Sequence, residues 1–222
     1  MRFFVRFRAN LLAAFVLALT ASIFAGFRGL ADLTTDPYQI NLGLKYVVFK
    51  DSSGIPALTE NELLRMIAKI NGVWGRCHIH FTVDQYLAVQ PLDYGLNYQI
   101  ADFRDLDMIR NKFGNEHSLL TVLTGAWNRH GTLGSSSANA WTSMPGGQPY
   151  GVIMEKPVRT NANLMAHELG HYLNLSHLKD SVDLMNPIIY SNSVFISESQ
   201  CKSARSTALS YWSKAVKSTA PI

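Results

Sequence analysis

Eleven consecutive residues constrain this chain more than any others: His167-Glu168-Leu169-Gly170-His171-Tyr172-Leu173-Asn174-Leu175-Ser176-His177. His167 and His171 are four apart, so on an α-helix they lie on one face, about one turn from each other. Both imidazoles can then reach a single metal ion. Glu168 follows the first histidine and can reach a water beside that ion. His177 can join only if the helix stops near Leu173 and the chain turns back. Three neutral imidazoles leave one position of a Zn2+ ion open, the catalytic rather than the structural arrangement.

The flanking residues agree with this reading. Asn161 and Asn163 are N-cap candidates, and Leu164-Met165-Ala166 opens a helix-favouring run. Asn174 stands where the helix should end, and asparagine tolerates the left-handed conformation of a helix C-terminus better than most residues. Eight residues beyond His177 comes Met185, in the turn-prone stretch Leu184-Met185-Asn186-Pro187. A bare His-Glu-x-x-His arises by chance in unrelated helices. The third histidine at its offset and the methionine at its distance are two further, separate coincidences.

His-Glu-x-x-His-x-x-x-x-x-His followed by a methionine turn resembles the metzincin clan of zinc peptidases. The distance from third histidine to methionine, and the Leu-Met-x-Pro wording, are most similar to the matrixins and their bacterial relatives. The resemblance implies one catalytic zinc on His167, His171 and His177, Glu168 as general base, and Met185 as the apolar floor beneath the metal. It implies an α+β fold: a twisted mixed β-sheet packed on two long helices, then a Met-turn and a C-terminal helix. Asn174 stands where the clan pattern has glycine, and Leu178 matches none of the familiar residues after the third histidine. A gluzincin pattern, with Glu198 as third ligand, would leave His177 and Met185 unexplained.

The N-terminus carries a different signal. Arg2, Arg6 and Arg8 precede an apolar run from Ala9 to Phe27, and small residues follow it. This describes a secretory signal peptide over residues 1–31, with Ala25 or Ala31 before the cleavage point. The run is also near the length that spans a bilayer, so an uncleaved membrane anchor is the alternative. The formal net charge of +4 then misleads. Residues 1–31 hold four arginines and no acid, so of 20 basic and 16 acidic residues, 32–222 carry 16 of each. Without a basic stripe there is no case for nucleic acid. Residues 32–222 suit a single domain, expected to be a secreted or periplasmic monomer. In an exported chain the two cysteines, Cys77 and Cys201, favour a disulfide over two buried thiols. Cys77 reads as core rather than as an inhibitory zinc ligand, and the stretch before the first strand leaves no room for a propeptide domain.

Along residues 32–222 there is no repeat or linker. Tyr38 to Phe49 reads as a strand closed by Asp51-Ser52-Ser53-Gly54. Thr59-Glu60-Asn61-Glu62 starts a helix with Leu63, Leu64, Ile67, Ile70 and Trp74 at helical spacing, ending near Gly72 and Gly75. Cys77 to Val83 reads as a second strand, with His78 and His80 on one half-exposed face. Residues 84–117 give no clear pattern. Asp102, Asp105 and Asp107 there read as a solvated face, since they lack the spacing of a calcium loop. Ser118 to Thr124 is a third strand, and residues 125–150 form a long loop with a short strand from Ala138 to Thr142. Gly151 to Glu155 is a further strand, and Ser197 starts a last helix through Cys201, Ala204, Ala208 and Trp212.

By the resemblance, the substrate is a peptide or protein lying extended along the sheet edge at Ala138-Asn139-Ala140-Trp141. Ile188, Ile189 and Tyr190 would line the pocket beyond the scissile bond, with ordinary core packing as the alternative. Tyr190 is too far from Met185 to be the zinc-binding tyrosine that some metzincins carry. A non-catalytic binding or adhesion protein on the same fold is the rival function, but such a module has no need of Glu168.

Overall fold

The computed structural model describes residues 38–217. The expectations for residues 1–31 lie outside the described residues. Among those described, no helix is long and apolar enough to cross a membrane.

β1 (Ile40–Phe49) is the spine of the sheet, and nearly all of its residues are buried. Such a continuous apolar run is what a parallel strand covered on both faces requires. β1 pairs parallel with β2 (Ile79–Val89) and with β3 (Leu119–Thr124). β5 (Val152–Glu155) pairs parallel with β3, and the short β4 (Ala140–Thr142) runs antiparallel to β5. The order is β2-β1-β3-β5-β4, so β4 is an edge. β6 (Val216–Lys217) adds two antiparallel pairings to the start of β1.

β2 is longer than its sequence suggests, and it begins after Cys77 and His78 rather than with them. The register slips at Asp84, so the alternation that marks a strand changes phase part-way along. Asp84 lies over Gly43, where a Cβ would meet its carboxylate at 1.9 Å. It accepts from Ser118 and pairs with Lys217 at 2.6 Å, which closes the sheet at this end. His78 is not on the strand face. It takes a left-handed turn (φ 54°) before the strand begins.

α1 (Glu60–Trp74) starts on a reciprocal cap between Thr59 and Glu62. It buries Leu63, Met66, Ile67, Ile70 and Trp74, while Leu64 faces solvent. α3 (Ala162–Tyr172) and α4 (Glu198–Ser210) lie in the same core as α1, with Leu42, Leu44, Tyr46 and Val48 of β1. Trp74 Nε1 donates to the Ala166 carbonyl at 3.2 Å and ties α1 to α3.

The opposite face of the sheet carries a helix where residues 84–117 gave no pattern. α2 (Phe103–Phe113) packs Leu106, Ile109 and Phe113 on Val47, Phe49, Leu120 and Ile153. Asp102 and Asp105, expected as a solvated face, form its capping box, and Asp107 pairs with Arg110 at 3.0 Å. The α+β plan therefore holds with one more helix and one more strand than expected. Cys77 and Cys201 form a disulfide across 124 residues, linking the turn after α1 to α4.

Candidate active site

α3 is built to stop where it does. The Asn161 side chain accepts from the Leu164 N–H at 3.0 Å and caps the start. At the other end Asn174 adopts φ 65°. Leu175 N–H then bonds to the Gly170 carbonyl and Asn174 N–H to the His171 carbonyl, both at 2.9 Å. This paired closure is the Schellman motif, with asparagine in the place usually held by glycine. The reversal returns the chain across the helix face and delivers His177 to the other two histidines.

The three Nε2 atoms converge. His177 Nε2 lies 3.1 Å from that of His171 and 3.3 Å from that of His167. His167 Nδ1 faces the Leu184 carbonyl at 2.7 Å, and His171 Nδ1 faces the Leu175 carbonyl at 2.8 Å. A carbonyl only accepts, so in each ring Nδ1 holds the proton and a neutral ring presents a lone pair at Nε2. Burial keeps the rings neutral: it pushes His167 down to about 4, against a smaller opposing pull from the Leu184 carbonyl, and it lowers His171 as well. Lone pairs this close repel one another unless a cation lies among them. A tetrahedral zinc with bonds of roughly 2.0–2.1 Å to nitrogen would set its ligands about 3.3–3.4 Å apart. The donor set and its spacing therefore fit such an ion, and no other group of metal-binding side chains stands out among the described residues.

Glu168 is buried beside this cluster, and burial raises its carboxyl to about 7 against the opposing pulls of Thr142 and Arg110. The Thr142 hydroxyl donates to Glu168 Oε2 and so links β4 to α3. Thr142 was not anticipated; its alternation with Trp141 on a short strand is the only sequence signal it carries.

Met185 is fully buried against the helix. A Cβ on Gly170 would lie 2.4 Å from its sulfur, so the glycine lets the turn seat itself there. The turn is held by Asp183, another residue that spacing did not reveal. Its carboxylate accepts from the Met185 N–H at 2.7 Å and from Gln200 of α4 at 2.9 Å. Leu178 N–H closes onto the Met185 carbonyl at 2.9 Å.

A cavity of about 760 Å3 opens over the histidines. Ala138, Asn139, Ala140, Trp141 and Thr142 form one wall, and Pro187, Ile188 and Ile189 contribute to the other. Tyr190, expected beside them, is not among the lining residues. It is half exposed, and its carbonyl accepts instead from Asn163, the second of the two asparagines near the helix start. The first wall is anchored from behind by buried Glu155, which accepts from the Trp127 N–H at 2.8 Å, from Asn139 and from Arg129. Glu198 lies in the first turn of α4, outside the histidine cluster.

The chain superposes on a Tannerella forsythia promirolysin mutant with a TM-score of 0.62 at 11% identity, over 94% of this chain and 92% of that one. It also matches metalloproteinase-II from Bacteroides fragilis with a TM-score of 0.50 at 15% identity, over 77% of this chain. The fold is of the metzincin type. The match spans 58% of the Bacteroides protein's length. No protein-family description and no curated protein matches the chain.

Proposed function

We propose that this metzincin-type chain is an exported zinc-dependent endopeptidase. The observation that carries the reading is the convergence of three histidine Nε2 atoms with a buried carboxylate beside them, at the base of an open groove. His167, His171 and His177 would hold the metal. When bound, zinc supplies a Lewis acid that makes water a nucleophile near neutral pH and polarises the scissile carbonyl. Glu168 accepts a proton from the attacking water and passes it to the leaving nitrogen. Thr142 fixes one carboxylate oxygen and leaves the other for the proton.

The edge strand orients the substrate. Glu155 N–H bonds to the Asn139 carbonyl, so that pair is the hydrogen-bonded kind. Antiparallel alternation then turns the backbone groups of Ala140 and Thr142 toward the free edge. An extended peptide can pair there as an added strand, with Ile188 and Pro187 across the groove. The basic, then apolar N-terminus supports export by a signal over residues 1–31, or anchoring to a membrane where it is not cleaved. The Cys77–Cys201 bridge is compatible with an oxidising compartment.

Purified zinc-loaded protein should degrade a denatured protein mixture, lose that activity to a chelator and regain it with zinc. Metal analysis should find one zinc per chain. Turnover that survives full removal of metal, or that persists in Glu168→Ala, would overturn the reading.

A further inference from the structure

The two walls of the groove meet at Thr142, the last residue of β4, whose hydroxyl donates to Glu168 Oε2. The pairing register fixes where each group of Thr142 points. Its partner across the ladder is Val152, which packs in the core with α3. Directly opposed residues of an antiparallel pair share a face, so the Thr142 side chain projects toward α3. Asn139 and Glu155 form a hydrogen-bonded pair, and Trp141 opposite Ile153 is the next of that kind. The N–H and carbonyl of Thr142 therefore face the free edge of the sheet.

Both ends of this residue are held. Arg110 of α2, itself buried, donates to the Trp141 carbonyl at 3.0 Å and to the Gly151 carbonyl at 3.1 Å. A peptide unit is planar, so fixing the Trp141 carbonyl also fixes the Thr142 N–H at the other end of the same unit. The side chain is branched at Cβ and has little freedom about its first bond. Its hydroxyl carries a single proton, which goes to Glu168. The helix fixes the backbone of Glu168, and the Thr142 hydroxyl fixes the far end of its long side chain.

We propose that Thr142 is a positioning residue that registers the substrate against the general base. It grips the Glu168 carboxylate with its side chain and offers its main chain to the peptide that pairs with the edge. Substrate and base are then aligned through one rigid residue. This inference rests on the peptidase reading. It makes main-chain pairing at Thr142 part of the chemical step. Such pairing raises kcat as well as lowering KM, because the productive alignment exists only when both partners are in place.

The test compares the zinc-loaded parent with Thr142→Val, Thr142→Ala and Thr142→Ser, with zinc content and melting temperatures alongside. The substrates are a peptide that the parent cuts and copies of it N-methylated at one residue at a time, sparing the scissile nitrogen. Thr142→Val keeps the shape and removes the donor. It should lower kcat about 10–100-fold with KM and zinc content level. Thr142→Ala should match it, and Thr142→Ser, which restores the hydroxyl, should recover most of the loss. N-methylation at one position, where the peptide N–H would meet the Thr142 carbonyl, should lower the parental kcat about tenfold. In Thr142→Val the same change should raise KM and leave kcat nearly level. Parental kcat in Thr142→Val, Thr142→Ser as impaired as Thr142→Val, or N-methylation penalties identical in both enzymes overturn the inference while the peptidase reading stands. Zinc loss from Thr142→Val with the fold intact overturns it too, since the residue would then support the metal site as a whole. A parent that cuts no peptide removes both.

Discussion

The two walls of the groove are held in different ways. The wall formed by α3 and the Met-turn comes from one continuous stretch of chain, residues 161–187. His171 Nδ1 is fixed by a carbonyl four residues on, and His167 Nδ1 by one seventeen residues on, just before Met185. The edge wall is held by remote parts of the chain. Asn139 leans on Glu155, Trp141 on Arg110, and Gly146, beyond β4, donates to Tyr211 at 3.0 Å across 65 residues. In the proposed function, one wall carries the reactive groups and the other the recognition surface. Damage to the first should appear in metal content and kcat, and damage to the second in KM.

The largest expected effect is on the local wall. His177→Ala removes one of the three converging donors, so zinc affinity and turnover should both fall to background. Full zinc content in this variant would mean that the third ligand is misassigned. Next comes Glu168→Gln, which keeps shape and removes the proposed proton acceptor. It should retain zinc and lower kcat by about 10²–10⁴-fold. Near-normal turnover after careful purification would break the division of labour between the walls.

Reduction of the Cys77–Cys201 bridge acts behind the local wall, since α4 supplies the Gln200 that steadies Asp183. Closing a loop of this length contributes roughly 3–5 kcal/mol in the chain-entropy account. A lower melting temperature is expected, and two alkylatable thiols in protein from an oxidising compartment would show that the bridge does not form. Glu155→Gln probes the edge wall. It leaves one of several donors facing an amide instead of a carboxylate, and a buried unsatisfied donor costs about 1–3 kcal/mol. Stability should fall by that order and KM should rise several-fold, with zinc content unchanged. Zinc loss from this variant would show that the walls are coupled.

The same contrast explains what could be read in the sequence. The histidine cluster was legible because its geometry follows from helical periodicity, one asparagine cap and a short return. The first helix was legible from Thr59, Glu62 and its apolar spacing. α2 was missed because its stripe of Leu106, Ile109 and Phe113 is narrow and its capping box uses Asp105 in place of the usual glutamate. The far half of β2 was missed because Asp84 breaks the alternation. The supports of the edge wall come from β5 (Glu155), from α2 (Arg110) and from Tyr211 beyond α4, and no pattern within β4 announces such contacts. Tyr190 was misplaced for the same reason. The turn after Pro187 is set by Asn186, which accepts from the Ile188 N–H at 2.9 Å, and by Ser193, which accepts from the Tyr190 N–H at 3.0 Å.

The smallest effect belongs to Met185→Leu. Met185 is fully buried and contacts the helix at Gly170, and in the proposed site three imidazoles are the metal's protein ligands, which leaves its sulfur without a ligand role. Leucine has similar volume, and volume-conserving swaps in a core usually cost less than about 1.5 kcal/mol. The backbone bonds that form the turn, from Asp183 to the Met185 N–H and from Leu178 to its carbonyl, do not depend on the side chain. Leucine's branch at Cγ fits the space above Gly170 less freely than an unbranched thioether does. The melting temperature should therefore drop slightly while zinc content and KM stay level. A large loss of zinc from Met185→Leu, with the fold intact, would mean that the sulfur itself tunes the metal. The local wall would then rest on side-chain chemistry beneath the ion as well as on the backbone carbonyls that hold its histidines.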